Sequence, residues 1–246
     1  MDQQMQTPDS VAVATPAKPE PGFSFKGLVR VFTGPTKFFE QLKDNPKVLV
    51  PMLAIFVLVI ISVFLLLDQI VALQAQGTVD SMRDRGMSDA QIQEIMNSPF
   101  MKIGPLIGAV FVLLGPLITA GFAMLFGGFA MGGQARFKQV LSVMAFADVV
   151  YYATSYISLP FQILKGTLIS PFSLAVLTPD LTLQDPLLLL LSKISLMYIW
   201  HVIVAGIGLS IIFKFPRNKG YLLAVLSLGL LSALHIGSAV VGKMFQ

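Results

Sequence analysis

The residues able to do chemistry in this sequence are few and poorly placed for it. The two histidines, His201 and His235, stand in separate apolar runs and form no H-E-x-x-H zinc spacing. The glutamates are Glu20, Glu40 and Glu94, all outside the apolar runs, which excludes a glutamate-based intramembrane hydrolase. Asp148 is a lone carboxylate within its run, whereas an aspartic protease needs two that share a proton. There is no G-x-S-x-G nucleophile turn and no G-x-x-x-x-G-K-[ST] phosphate loop. The absence of cysteine removes disulfides, thiolate metal sites and thiol nucleophiles. Neither catalysis nor a cofactor is expected.

What remains is a set of polar residues inside apolar runs: Asp148, Tyr152, Lys193, His201 and His235. An ionisable group in hydrocarbon is costly and faces a bundle interior or a wet cavity. Counting about 1.5 Å of rise per residue, Asp148 lies roughly 12 Å and His201 roughly 9 Å from one membrane boundary. Lys193 and His235 each lie roughly 9 Å from the other boundary on the same count. One reading is two structural pairs, with Lys193 snorkelling outward. The other is a polar pathway for an ion or small solute. Asp148 and His201 are expected to face each other, or to share a polar pocket with Tyr152, with Gly206 and Gly208 permitting the approach of their helices.

The elements that must position these residues are membrane helices. Hydrophobic residues make up 55% of the chain and charged ones 12%, about half the charged share of a soluble domain. A span needs about 20 mainly apolar residues, and five stretches qualify, at about 48–67, 103–131, 140–164, 187–213 and 221–241. Backbone polar groups in lipid must be satisfied within their own segment, and period-2 alternation is absent, so helices are expected rather than a barrel. The fold class is therefore all-α, a polytopic five-helix transmembrane bundle with an amphipathic interfacial N-terminal segment. Residues 1–22, rich in proline and free of aromatics, are expected to be a disordered cytoplasmic tail. No signal peptide is expected, because the first long apolar run starts only near Val48. Residues 23–243 form one membrane domain.

Lysine and arginine placement sets the orientation. Eleven cations flank one side: Lys18, Lys26, Arg30, Lys37, Lys43, Lys47, Arg136, Lys138, Lys214, Arg217 and Lys219. Five flank the other: Arg83, Arg85, Lys102, Lys165 and Lys243. The N-terminus is thus expected in the cytoplasm and the C-terminus outside. The net charge of +4 is assigned to topology and anionic lipid rather than to nucleic acid. Ser88 and Gln91 form a capping box that predicts a short outer helix ending at Pro99. Pro171 to Leu177 is too short to span and is expected at the outer interface. Pro116 is expected to kink the second span. The pairs Gly104/Gly108 and Gly128/Gly132 permit close helix approach, within the chain or between chains, with packing inside the chain preferred.

The stretch before the first span carries two apolar faces. Phe25, Leu28, Val29 and Phe32 follow one helical face, with Lys26 and Arg30 off it. After Gly34-Pro35 a second short helix repeats the pattern with Phe38, Phe39 and Leu42, leaving Lys37 more polar. An apolar face rimmed by cations suits an anionic cytoplasmic headgroup layer. The alternative is a segment packed beneath the bundle. Phe25, Lys26, Arg30, Phe32, Lys37, Phe38 and Phe39 are the expected membrane-interface residues.

The order of these features resembles the Yip1 family of five-span membrane proteins, in its bacterial branch. Phe32-Thr33-Gly34-Pro35-Thr36-Lys37-Phe38-Phe39 looks like that family's F-x-x-P-x-x-F-F segment before the first span, with Pro46 and Pro51 following. Gly132 to Gln139 is similar to its glycine-rich cytoplasmic loop, and Trp200 followed by the basic hinge Phe213 to Gly220 is the third carrier. The resemblance implies a cytoplasmic N-terminus and a bacterial inner membrane. The expected role is a membrane-organising or scaffold protein that contacts lipids, another membrane protein or a second copy of itself. The alternative is a transporter or channel component using the intramembrane polar residues.

Overall fold

The computed structural model describes residues 25–244 except 179–180 and 182–184; side chains of a few helical residues, Phe25 and Lys26 among them, are outside the described set. The expected tail over residues 1–22 also lies outside the described residues. Every described element is helical, apart from one isolated antiparallel bridge between Ser173 and Ser195. Two short helices open the chain, α1 (Phe25–Thr33) and α2 (Pro35–Leu42). The apolar α3 (Leu49–Leu65) runs almost directly into α4 (Leu67–Asp84), followed by α5 (Asp89–Met96). Next come α6 (Pro99–Phe111) and α7 (Leu114–Ala123), a π-helical turn over Met124–Ala130, and α8 (Phe137–Ser155). A 3₁₀ turn at Tyr156–Ser158 leads to α9 (Leu159–Lys165), and α10 (Pro186–Lys193), α11 (Leu196–Ile212) and α12 (Arg217–Met244) complete the chain.

The core is built around α8. Every residue from Val140 to Val150 is buried, so this helix has no polar face to give to a solvent, as expected of the central member of a bundle. Helices α3, α7 and α11 pack against it, and α12 closes over α11 and α7. Gly208 sets the α8–α11 approach: a Cβ there would collide with Val143 and with Phe39 of α2. Across the α11–α12 contact, Gly206 faces Tyr221 and Gly220 faces the Gly206 carbonyl and Ser210. Small residues at crossings let backbones close up where lipid supplies no hydrophobic drive between helices.

The outer surface is apolar over long helical stretches. Leu53, Val57, Ile61 and Phe64 of α3, Ile107 and Val110 of α6, and Leu222, Val225 and Leu226 of α12 are exposed. Apolar patches of that extent are foreign to a monomer in water. Three helical runs, Ile103–Ala130, Phe137–Lys165 and Arg217–Gly237, have the length and composition to cross a bilayer, while α3 and α11 are apolar but shorter at 17 residues each.

Several expectations need correction. The apolar run at 187–213 is not one helix. It breaks between Lys193 and Leu196, where Ser195 accepts a hydrogen bond from the Tyr198 N–H and caps α11. Extended backbone at the break pairs with the preceding loop, Leu174 N–H to Ile194 O (3.0 Å) and Leu196 N–H to Phe172 O (3.1 Å). Lys193 therefore ends α10 instead of lying within a continuous span. The capping box at Ser88 and Gln91 is present, but Pro99 sits at the first position of α6, where its missing N–H costs nothing, so it starts a helix rather than only ending one. The second run is interrupted at Val112–Leu113, one turn before Pro116, where that ring meets the carbonyl four residues back. Gly104 and Gly108 have open space where a Cβ would stand, so they do not mediate packing within the chain; Gly127 and Gly133, against Phe213, do so instead.

Candidate functional site: a buried polar pair, a hydroxyl-lined cavity and a basic end

The close α8–α11 crossing brings Asp148 against His201. The His201 Nε2 lies 2.9 Å from Asp148 Oδ1, with the two residues 3% and 8% exposed. The carboxylate sits off the ring's N–H direction, and neither imidazole nitrogen makes an aligned hydrogen bond among the described residues. The contact is a close approach of two buried polar groups rather than a directed hydrogen bond. Tyr151, not Tyr152, lies over the imidazole, ring centroids 5.3 Å apart and planes tilted by 31°. Tyr198 meets the same ring edge-on at 5.8 Å, and its hydroxyl reaches Ser232 Oγ (3.1 Å), which ties the pair to α12. Tyr152 instead turns toward the Ile55–Val59 cluster on α3 and meets Tyr151 edge-on.

Above the tyrosines, at the end of the bundle remote from α1 and α2, lies a cavity of about 330 Å³. It is walled by Ser62 of α3 and Leu66 just beyond its end, the C-terminal end of α8, the 168–173 loop, and the α10–α11 break. Lys193 lines it from the last turn of α10, where the helix carbonyls favour a cation. Apart from Ser62, the serines that line it fall in three S-x-x-S pairs, 155/158, 170/173 and 192/195, from segments far apart in the chain, a spacing too common by itself to mark a site. His235 lies on an exposed face of α12.

The opposite end is basic and tied together by long-range hydrogen bonds. Arg217 donates to Thr36 Oγ1 (3.0 Å), Gln139 Nε2 to the Lys43 carbonyl (2.7 Å), and Ser142 to the Lys47 carbonyl (2.6 Å). These bonds hold α2 and the segment after it against the first turns of α8 and the start of α12. Arg30, Lys37, Lys43, Arg136, Lys138, Lys214, Arg217 and Lys219 are all exposed there. Two of the aromatics expected at the lipid interface lie elsewhere. Phe39 is 0% and Phe38 9% exposed, and Phe38 packs edge-on to Phe146 of α8 at 4.8 Å. Burial against α8 and α11 removes more apolar surface than a headgroup layer could, so these two rings plug the bundle. Phe32 is half-buried, Arg30 and Lys37 point outward, and the side chains of Phe25 and Lys26 lie outside the described residues.

Residues 29–239 match the Yip1 domain. Membrane protein YknW of Bacillus subtilis (strain 168) is 22% identical over 224 residues, covering 88% of this chain and 91% of the relative. No solved structure matches.

Proposed function

The chain belongs to the Yip1 domain family of membrane proteins, and on that premise we propose that it is a five-span, non-enzymatic protein that organises the bilayer and its neighbours from a rigid basic end. The spans are α3, the α6–α7 run, α8–α9, α11 and α12. At 17 residues, α3 and α11 sit at the short end of the range for a spanning helix, about 17–25 residues. The N-terminus and the basic end lie on the cytoplasmic side of an inner membrane, following the lysine and arginine bias.

The observation that carries this reading is the collar of exposed cations around Phe38 and Phe39. The two rings and the Arg217–Thr36 bond fix α2 to the bundle, so the cations are held in place rather than carried on a loose tail. Each cation near an anionic leaflet is worth on the order of 1 kcal/mol. Only Glu40 and Asp44 oppose them within the N-terminal segment. The test is reconstitution of the full chain into vesicles containing fluorescent phosphatidylglycerol. Enrichment of the labelled lipid around the protein, reversed by high salt and by the triple variant Lys37→Gln/Lys43→Gln/Lys138→Gln, supports the reading; equal enrichment in that variant sinks it. Capture of a second copy or of another membrane protein by crosslinking in native membranes identifies what is organised.

A second reading has its own support. The buried Asp148–His201 pair lies below a polar cavity, which is the arrangement a solute pathway would use. Solute flux in liposomes that disappears with Asp148→Asn would replace the scaffold reading with a transport one.

A further inference from the structure

We infer that the cavity between α3, α8 and the α10–α11 break is a binding site for a phosphate oxyanion, carried either by a phospholipid headgroup or as free phosphate.

The polar groups lining the cavity divide by where their protons go. Ser155 donates to the Tyr151 carbonyl (2.8 Å), Ser173 to the Ser170 carbonyl (2.9 Å) and Ser192 to the Leu189 carbonyl (2.7 Å). Ser158 and Ser170 share one hydroxyl bond (2.8 Å), which uses one of their two protons, and Gln162 donates one amide proton to the Leu168 carbonyl (2.8 Å). Those protons are committed to the protein. The others are not: the Lys193 ammonium, the second proton of the Ser158–Ser170 pair, the Tyr151, Tyr152 and Ser62 hydroxyls, and the Ser195 hydroxyl, whose oxygen already accepts from the Tyr198 N–H. Among the described residues no carboxylate lines the cavity. Lys193 is half-buried and makes no ion pair with any described residue. A half-buried cation with uncommitted hydroxyl donors and no counter-charge asks for an acceptor-only anion. Phosphate has several acceptor oxygens to meet such a set. The serines whose protons are committed offer lone pairs to any protonated oxygen of the same ligand.

The apolar part of the wall selects among sources. Leu66, Leu159, Leu188 and Met197 share the lining, and the exposed faces of α3 and α10 flank it. A headgroup phosphate would sit on the polar wall with its acyl chains along the helices, whereas free phosphate would use the polar wall alone.

The test uses the purified full chain in neutral detergent, titrated with inorganic phosphate in one arm and with short-chain phosphatidylglycerol in the other. Binding is followed by calorimetry and by the shift in unfolding temperature. Lys193→Gln is expected to weaken binding at least about tenfold, and Lys193→Arg to retain it. Tyr152→Phe removes one uncommitted proton, keeps the ring, and is expected to weaken binding severalfold. Lys165→Gln alters an exposed cation outside the cavity and keeps full affinity. Phosphate binding assigns a free anion, and phosphatidylglycerol binding without phosphate binding assigns a headgroup; either supports the site if Lys193→Gln or Tyr152→Phe weakens it. Binding of neither ligand by the native chain overturns the inference, as does binding that both variants leave unchanged.

Discussion

Asp148 and His201 each depend on the other, because both are buried and no other described residue hydrogen-bonds to either side chain. Replacing His201 by Ala leaves the carboxylate buried without its partner, which costs about 1–3 kcal/mol. The expected result is a lower unfolding temperature in detergent with membrane insertion intact. Asp148→Asn keeps an acceptor oxygen beside the imidazole and removes the charge, so its loss should be clearly the smaller of the two. Equal losses in a thermal-shift comparison would show that shape alone matters at this contact. The meeting of these residues was legible because depth along a helix follows from a fixed rise of about 1.5 Å per residue. Azimuth was not. Tyr151 and Tyr152 differ by one residue and roughly a quarter-turn, and only the packing of α8 between α3 and α11 decides which ring covers His201.

The contacts between helices rank the glycines, and the ranking has measurable consequences. Gly208 lies where α2, α8 and α11 converge, so Gly208→Val must displace Val143 or the ring of Phe39. Overpacking of this kind costs about 1–3 kcal/mol. Gly104 has nothing within reach of an added methyl, so Gly104→Ala should be neutral or stabilise by up to about 1 kcal/mol through helix propensity. Chemical denaturation of the two variants in the same detergent checks the contrast, and comparable destabilisation would mean that Gly104 is packed against another molecule. The G-x-x-x-G spacing drew attention to Gly104 and Gly108, yet spacing reports only that a face is flat, not that a partner occupies it. The break at Ile194–Ser195 was hidden for a similar reason. Mean hydropathy stays high across Ser192, Lys193 and Ser195 because leucines and isoleucines surround them, and the cap becomes visible only when the 172–174 backbone supplies hydrogen bonds to the extended residues. The α5 cap was legible because Ser88 and Gln91 satisfy each other locally.

At the scale of the molecule, the apolar character follows from composition, and the helical class from long apolar runs without period-2 alternation, since lipid admits only helices and closed barrels. The two ends of the bundle differ in charge, and this asymmetry is the basis of the topology proposal. The exposed cations of α1, α2, the 132–138 segment and the α11–α12 hinge gather at one end, while the end with the cavity carries Lys165 and Lys193 from this part of the chain. In the proposed topology the cavity would lie toward the outer leaflet and the basic collar toward the inner one. Five spans require the two termini to lie on opposite sides. A reporter fused after Lys138 should read cytoplasmic, and reporters fused within the 166–178 loop and at the C-terminus should read external. The short helices α3 and α11 are the weak points of that count, because loss of either as a span changes the parity and returns the C-terminus to the cytoplasm. The C-terminal fusion is therefore the decisive measurement: an external signal requires an odd number of crossings, whereas a cytoplasmic one would remove α3 or α11 from the membrane and with it the assignment of the cavity to the outer leaflet.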